Sequence, residues 1–144
     1  MKNALKLLFL ALIALSGCGK PASESSGPAD SLANESKALY NRAMDIHDEV
    51  MPKMDELYRL KQNLKDTLAS GAALSAEVKA DFESRIHLID SAEKSMMDWM
   101  HDNRLRPAHD TTNAIVYQQY MTGKVEAAEK MKALILEAIA KGKI

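Results

Sequence analysis

Cysteine occurs once in the 144 residues, at position 18. A single cysteine cannot close an internal disulfide, and it rules out a Cys-based metal cluster or a paired-thiol redox centre. Aromatic residues make up 5% of the chain, with one tryptophan among them. Leucine, alanine and the eight methionines beyond Met1 therefore have to fill most of any core. Glycine and proline are sparse beyond residue 28, where only Pro52, Gly71, Pro107, Gly123 and Gly142 remain. Runs of alternating β-branched residues are missing too, which leaves an all-α fold as the natural reading. There is no glycine-rich phosphate loop and no nucleophile elbow. With no glycine between Ala72 and Thr122 the chain offers no tight catalytic turn, and an enzyme is not expected. An excess of positive charge is also lacking. From Cys18 onward, 17 Lys+Arg (the 19 of the chain less Lys2 and Lys6) face 20 Asp+Glu, a net charge of −3. That balance gives no footprint for nucleic acid or for adhesion to acidic lipid.

What is present starts with a leader. Lys2 and Lys6 precede an unbroken apolar run over residues 7–15. The run is shorter than the ~20 residues needed to span a bilayer, and it fits the apolar region of a secretory signal. It ends in Leu15-Ser16-Gly17-Cys18. This tetrapeptide resembles the lipobox of bacterial lipoproteins: an apolar residue, two small ones, then the modified cysteine. The resemblance implies a diacylglyceryl thioether on Cys18, cleavage before it, and acylation of the new amino group. Each buried lipid CH₂ contributes ~0.8 kcal/mol, so several acyl chains together anchor stably. The expected organisation is a signal peptide at 1–17, a lipidated Ser/Pro/Gly linker at 18–30 and a helical domain at 31–144. The linker has too little apolar content to pack.

Apolar residues recur at helical spacing from about residue 32 to 68: Leu39, Ala43, Ile46, Val50, Met54, Leu57, Leu60, Leu64 and Leu68. A second stripe (Tyr40, Met44, His47, Met51, Met54, Tyr58) runs beside the first and widens the face, as for a helix contacting two neighbours. Ser70-Gly71 ends this helix, and Ser75 suits the N-cap of the next. The second helix carries Val78, Phe82, Ile86, Ile89, Ala92, Met96, Trp99 and Met100, and ends before Pro107. Residues 105–112 read as a connection, and 113–121 as a short helix or an irregular segment. Residues 122–140 read as the third helix, with Val125, Ala128, Met131, Ile135 and Ile139 inward. The expected assembly is an antiparallel three-helix bundle with a long first helix kinked at Pro52.

A hairpin about residues 70–75 brings equal distances from the turn side by side, because both helices rise by ~1.5 Å per residue. His47 lies 23 residues before Ser70, and Asp98 lies 23 residues after Ser75. The stretch His47-Asp48-Glu49-Val50-Met51-Pro52-Lys53-Met54 should therefore face Met96-Met97-Asp98-Trp99-Met100-His101. The two segments richest in methionine and histidine meet, and the chain returns to them through Tyr117, Tyr120 and Met121. Pro52 at this level removes a helical hydrogen bond and crowds the carbonyl of Asp48.

The same two segments are similar to signatures of small Bacteroidota lipoproteins often labelled "viral A-type inclusion protein". The resemblance covers about residues 40–65, 92–101 and, weakly, the last helix, and it implies no activity. It implies a lipoprotein of a Gram-negative envelope. Gly19-Lys20-Pro21 lacks the acidic stretch often seen in surface-displayed lipoproteins, which favours the outer membrane facing the periplasm.

Thioethers and imidazoles are soft ligands suited to copper(I). Met44, His47 and Met51 share a helix face, Met97 and His101 are spaced i, i+4, and Met100 lies beside them. Pro52, Met54, Trp99 and Met121 complete the cluster. Methionines at this spacing also serve as flexible core filler. Three readings stay open: a non-catalytic binding or scaffolding domain for an envelope partner, a copper(I)-binding lipoprotein, and a carrier of small apolar ligands. His-Asp occurs three times, at His47-Asp48, His101-Asp102 and His109-Asp110, and the dipeptides do not converge on one ion by themselves, because adjacent helical residues point ~100° apart. Asp98 and His101 supply only half of a di-iron motif.

Overall fold

A computed structural model describes residues 28–70, 73–103 and 113–143. The described residues are helical almost throughout, with no strand among them. The helices are α1 (Pro28–Val50), α2 (Met54–Ala69), α3 (Ala76–Asn103) and α4 (Ala114–Gly142), and a 3-10 turn, Met51–Lys53, joins α1 to α2. The leader, Cys18 and the connection at residues 105–112 lie outside the described residues.

Local chemistry accounts for the helix ends. α1 starts at Pro28, three residues inside the stretch read as linker, with proline in the first position, where its missing N–H costs nothing. The Ser75 hydroxyl accepts from the Val78 amide at 3.3 Å, which is the expected N-cap of α3. That hydroxyl also bonds Glu77, and the bond holds the Glu77 carboxyl below its ordinary pKa. The Asn113 side chain accepts from the Val116 amide at 3.2 Å and starts α4 eight residues earlier than the expected third helix at 122. Residues 113–121 are thus the cap and first turns of a continuous helix. At the other end of α4, the Arg85 guanidinium donates to the carbonyls of Lys141 and Lys143 at 3.1 and 2.9 Å. These are terminal carbonyls that the helix cannot satisfy itself.

Pro52 interrupts the first long helix with a turn of tighter winding. Proline sits in the first turn of that 3-10 segment, and the Met54 amide bonds the Met51 carbonyl. The burial pattern nevertheless passes straight through. Ser36, Ala43, Val50, Leu57 and Leu64 recur every seventh residue and all are buried. Along α4, Tyr117, Met121, Lys124, Ala128, Met131, Ile135, Ala138 and Gly142 are buried at alternating steps of four and three. Phe82, Ile89, Ala92, Met96 and Trp99 continue the same rhythm on α3. A 3.5-residue period is that of coiled-coil seams, finer than the generic helical stripe read from the sequence.

Ion pairs give the alignment of the helices. Arg42 pairs with Glu129 at 2.5 Å, Glu49 with Lys132 at 2.6 Å and Glu56 with Lys143 at 3.7 Å, so numbering rises together along α1, α2 and α4. Between α3 and α4 the order is inverted: Trp99 meets Lys124, and Arg85 meets Lys141. Lys61 on α2 reaches both Asp90 (3.1 Å) and Glu93 on α3. Beside this network α4 ends against its neighbours. A Cβ on Gly142 would lie 3.2 Å from Leu60 Cδ1 and 3.3 Å from Ile89 Cδ1. α1 packs along α4, whereas it meets α3 chiefly through long side chains.

Candidate functional site

The hairpin count from the sequence places His47 opposite Asp98. In the structure the His47 imidazole lies on the neighbouring Trp99 indole, with ring centroids 5.4 Å apart and planes 19° from parallel. Trp99 is buried on α3, and its Nε1–H donates to the carbonyl of Lys124 on α4 at 3.2 Å. One indole thus ties the three long helical segments together. Buried indoles need a partner for their N–H, and this carbonyl provides it.

Lys124 extends the layer. It occupies a seam position and is 4% exposed, while its ammonium reaches out to Asp102 and lies 5.2 Å from the centroid of the Tyr120 ring. Tyr117 stacks near Tyr120 at 6.4 Å. Burial holds the Lys124 amine below the ordinary lysine pKa. A shallow groove of about 480 Å³ runs past this point between α3 and α4, lined by Ser95, Asp98, Trp99, Asp102, Lys124 and Met131 among others. Residue type alone gives no hint of the place of Lys124. Its one signal was position, three residues after Met121 and four before Ala128, on the inward rhythm of α4.

On the other side of Trp99, His47 is nearly buried, with 13% of its side chain exposed. Its Nδ1 is 2.8 Å from Asp48 Oδ1. Its Nε2 is buried and has no hydrogen-bond partner. The Ser36 hydroxyl, earlier on the same helix, is the other buried polar group without a partner among the described residues. Other helix hydroxyls, those of Thr67, Ser91 and Thr122, donate to the carbonyl four residues back.

The residues singled out from the sequence divide by environment. Met44, Met54 and Met100 are half-buried against the core, and Met121 is buried. Met51 is 44% exposed and Met97 56% exposed. His101 and Pro52 are exposed. Met97 and His101, one turn apart, thus lie on the outer side of α3, while Met100 turns inward beside Trp99. Cys18 lies outside the described residues. Among the described residues no group of three or more His, Cys, Asp or Glu side chains is placed to hold a metal.

No family model matches this chain, and comparisons with curated proteins and with solved structures found no match.

Proposed function

We propose that this chain is a lipid-anchored protein of a Gram-negative cell envelope, in the outer membrane facing the periplasm. Its helical domain binds or scaffolds an envelope partner and does not catalyse a reaction. The observation that carries the reading is Leu15-Ser16-Gly17-Cys18 directly after a short apolar run. The distance from Cys18 to the start of α1 at Pro28 agrees with it. Ten residues reach at most ~35 Å when extended, a tether that keeps a helical domain close to its membrane. No helix among the described residues is long and apolar enough to cross a membrane.

The domain is read as an antiparallel three-helix bundle, up-down-up, with α1 and α2 as one interrupted arm. The directions of the ion pairs support this arrangement. A binding role is supported by how the polar groups of the central layer are used. Trp99 is held by Lys124, Lys124 by Asp102, and His47 Nδ1 by Asp48. The first two bonds join α3 to α4 and the third lies within α1, and none of them pairs a nucleophile with an adjacent base. The similarity to Bacteroidota lipoproteins on the residue 47–54 and 96–100 segments bears on the envelope address alone.

The test is metabolic labelling with an alkyne fatty acid in a Gram-negative host, followed by membrane fractionation. Wild type should take up label and sediment with outer membranes, and Cys18→Ser should lose the label and become soluble. An unlabelled, soluble wild type would remove the anchor and the reading with it.

A further inference from the structure

We propose that His47 anchors a binding site for a soft monovalent metal ion of the copper(I) type, completed by the thioethers of Met44, Met51 and Met100. This goes beyond the scaffolding reading and does not depend on the lipid anchor.

The His47 imidazole is held through one of its two nitrogens. The Asp48 carboxylate can only accept, so Nδ1 carries the proton and Nε2 of the neutral ring is a bare lone pair. That lone pair is buried and no donor meets it. A buried acceptor without a partner is destabilising, and its persistence calls for a ligand. An imidazole oriented through its other nitrogen by a carboxylate is also the usual arrangement of a metal-binding histidine.

The surroundings select the ion. Met44 and Met51 lie three residues before and four after His47, the spacings that bring helical side chains to ~5–6 Å at Cβ. Met100 is half-buried next to Trp99, whose ring covers the imidazole. Thioethers are flexible and polarisable, and together with one imidazole they favour copper(I) or silver(I) over hard cations. No gathering of three carboxylates or imidazoles competes for a harder ion among the described residues. Of the six ligands suggested by the sequence, Met97 and His101 drop out, because they lie on the outer side of α3, away from the helix that carries His47; Met51, 44% exposed, stays because it lies one turn from His47 on its own arm, at the solvent edge of the site.

The experiment uses the full chain in detergent, titrated anaerobically with copper(I) against a chromophoric copper(I) chelator, with silver(I) as a redox-inert check. The chain has one tryptophan, so fluorescence reports on the Trp99 layer alone. Wild type should bind one equivalent and quench that fluorescence. His47→Phe, which keeps a ring against Trp99, should weaken binding at least a hundredfold. Asp48→Ala should weaken it roughly 10–100-fold, as expected when the group orienting a ligand is removed. Met97→Leu with His101→Ala should leave it unchanged. Failure of wild type to compete with the chelator overturns the site, as does unchanged affinity in His47→Phe or loss of binding in the Met97→Leu, His101→Ala variant. Should circular dichroism show His47→Phe unfolded, the volume-conserving Met44→Leu, Met51→Leu variant decides. Wild-type affinity there overturns the site equally.

Discussion

Among the described residues, Lys61 and Lys124 are the most deeply buried of the lysines that bridge helices, and the two crossings differ. Lys61 lies where α2, α3 and the end of α4 pack closely, and it finds two carboxylates at the rim, Asp90 and Glu93. Burial pulls its pKa down, but these two acids more than offset burial and the net shift is upward. Lys124 lies in the seam of α3 and α4 at the Trp99 level, where burial wins and the shift is downward. The backbone differs in the same sense. Around Lys61 a glycine lets helices touch, whereas at the Trp99 level α1 and α3 are joined through long side chains. A close-packed end needs shape alone. An end spanned by His47, Trp99 and Lys124 needs particular side chains, and chemistry beyond packing has room there.

The largest effect is expected from Trp99→Ala. It removes a buried ring, the stack on His47 and the bond to Lys124, and should cost ~3–5 kcal/mol in urea unfolding. A loss below about 1 kcal/mol would mean the Trp99 level is no joint at all. Next come the lysines, which should respond to methionine with opposite signs. Lys124→Met removes a buried charge and leaves Asp102 solvated, for a gain of about 1 kcal/mol. Lys61→Met breaks two rim pairs and should lose up to about 1 kcal/mol. The same contrast has a pH signature around the ordinary lysine value of 10.5. Between the lowered pKa of Lys124 and 10.5 the unfolded state holds more protons, so stability rises with pH there. The Lys61 contribution is complete below 10.5 and disappears as pH climbs through its raised value. Thermal midpoints across this range should fall in Lys124→Met and rise in Lys61→Met. The smallest effects belong to the glycines. Nothing lies within 4 Å of a Cβ on Gly123, so Gly123→Ala should gain ~0.4–1 kcal/mol. Gly142→Ala should forfeit that gain against Leu60 and Ile89. Equal urea midpoints for the two variants would show that the ends do not differ in tightness.

Much of the helical architecture could be read from residue types. Ser75 identified itself as a cap through its place before an apolar rhythm, and the inward residues of α4 from Val125 to Ile139 are all buried. Counting from the turn brought His47 within one residue of its partner, because helix rise is nearly constant. The start of α4 was harder to read. Gly123 broke the pattern, although Asn113 followed by Tyr117, Met121 and Val125 carried a cap and a stripe. Burial of Lys124 was masked by its charge, since a long side chain can bury its stem while the ammonium reaches an acid outside. The orphaned Nε2 of His47 depends on where Asp48 turns its carboxylate, which spacing alone does not specify.

The 3-10 turn at Pro52 also has an angular consequence. An α-helical residue advances the chain by about 100°, so seven fall ~20° short of two full revolutions. Over the four heptads from Ser36 to Leu64 a straight helix would drift by roughly 80°, enough to rotate its buried seam away from its neighbours. A 3-10 residue advances by ~120°, so the three residues Met51–Lys53 restore about 60°. The proline works as a phase correction: one local overwinding does most of what a continuous superhelical twist would otherwise have to do along the whole arm.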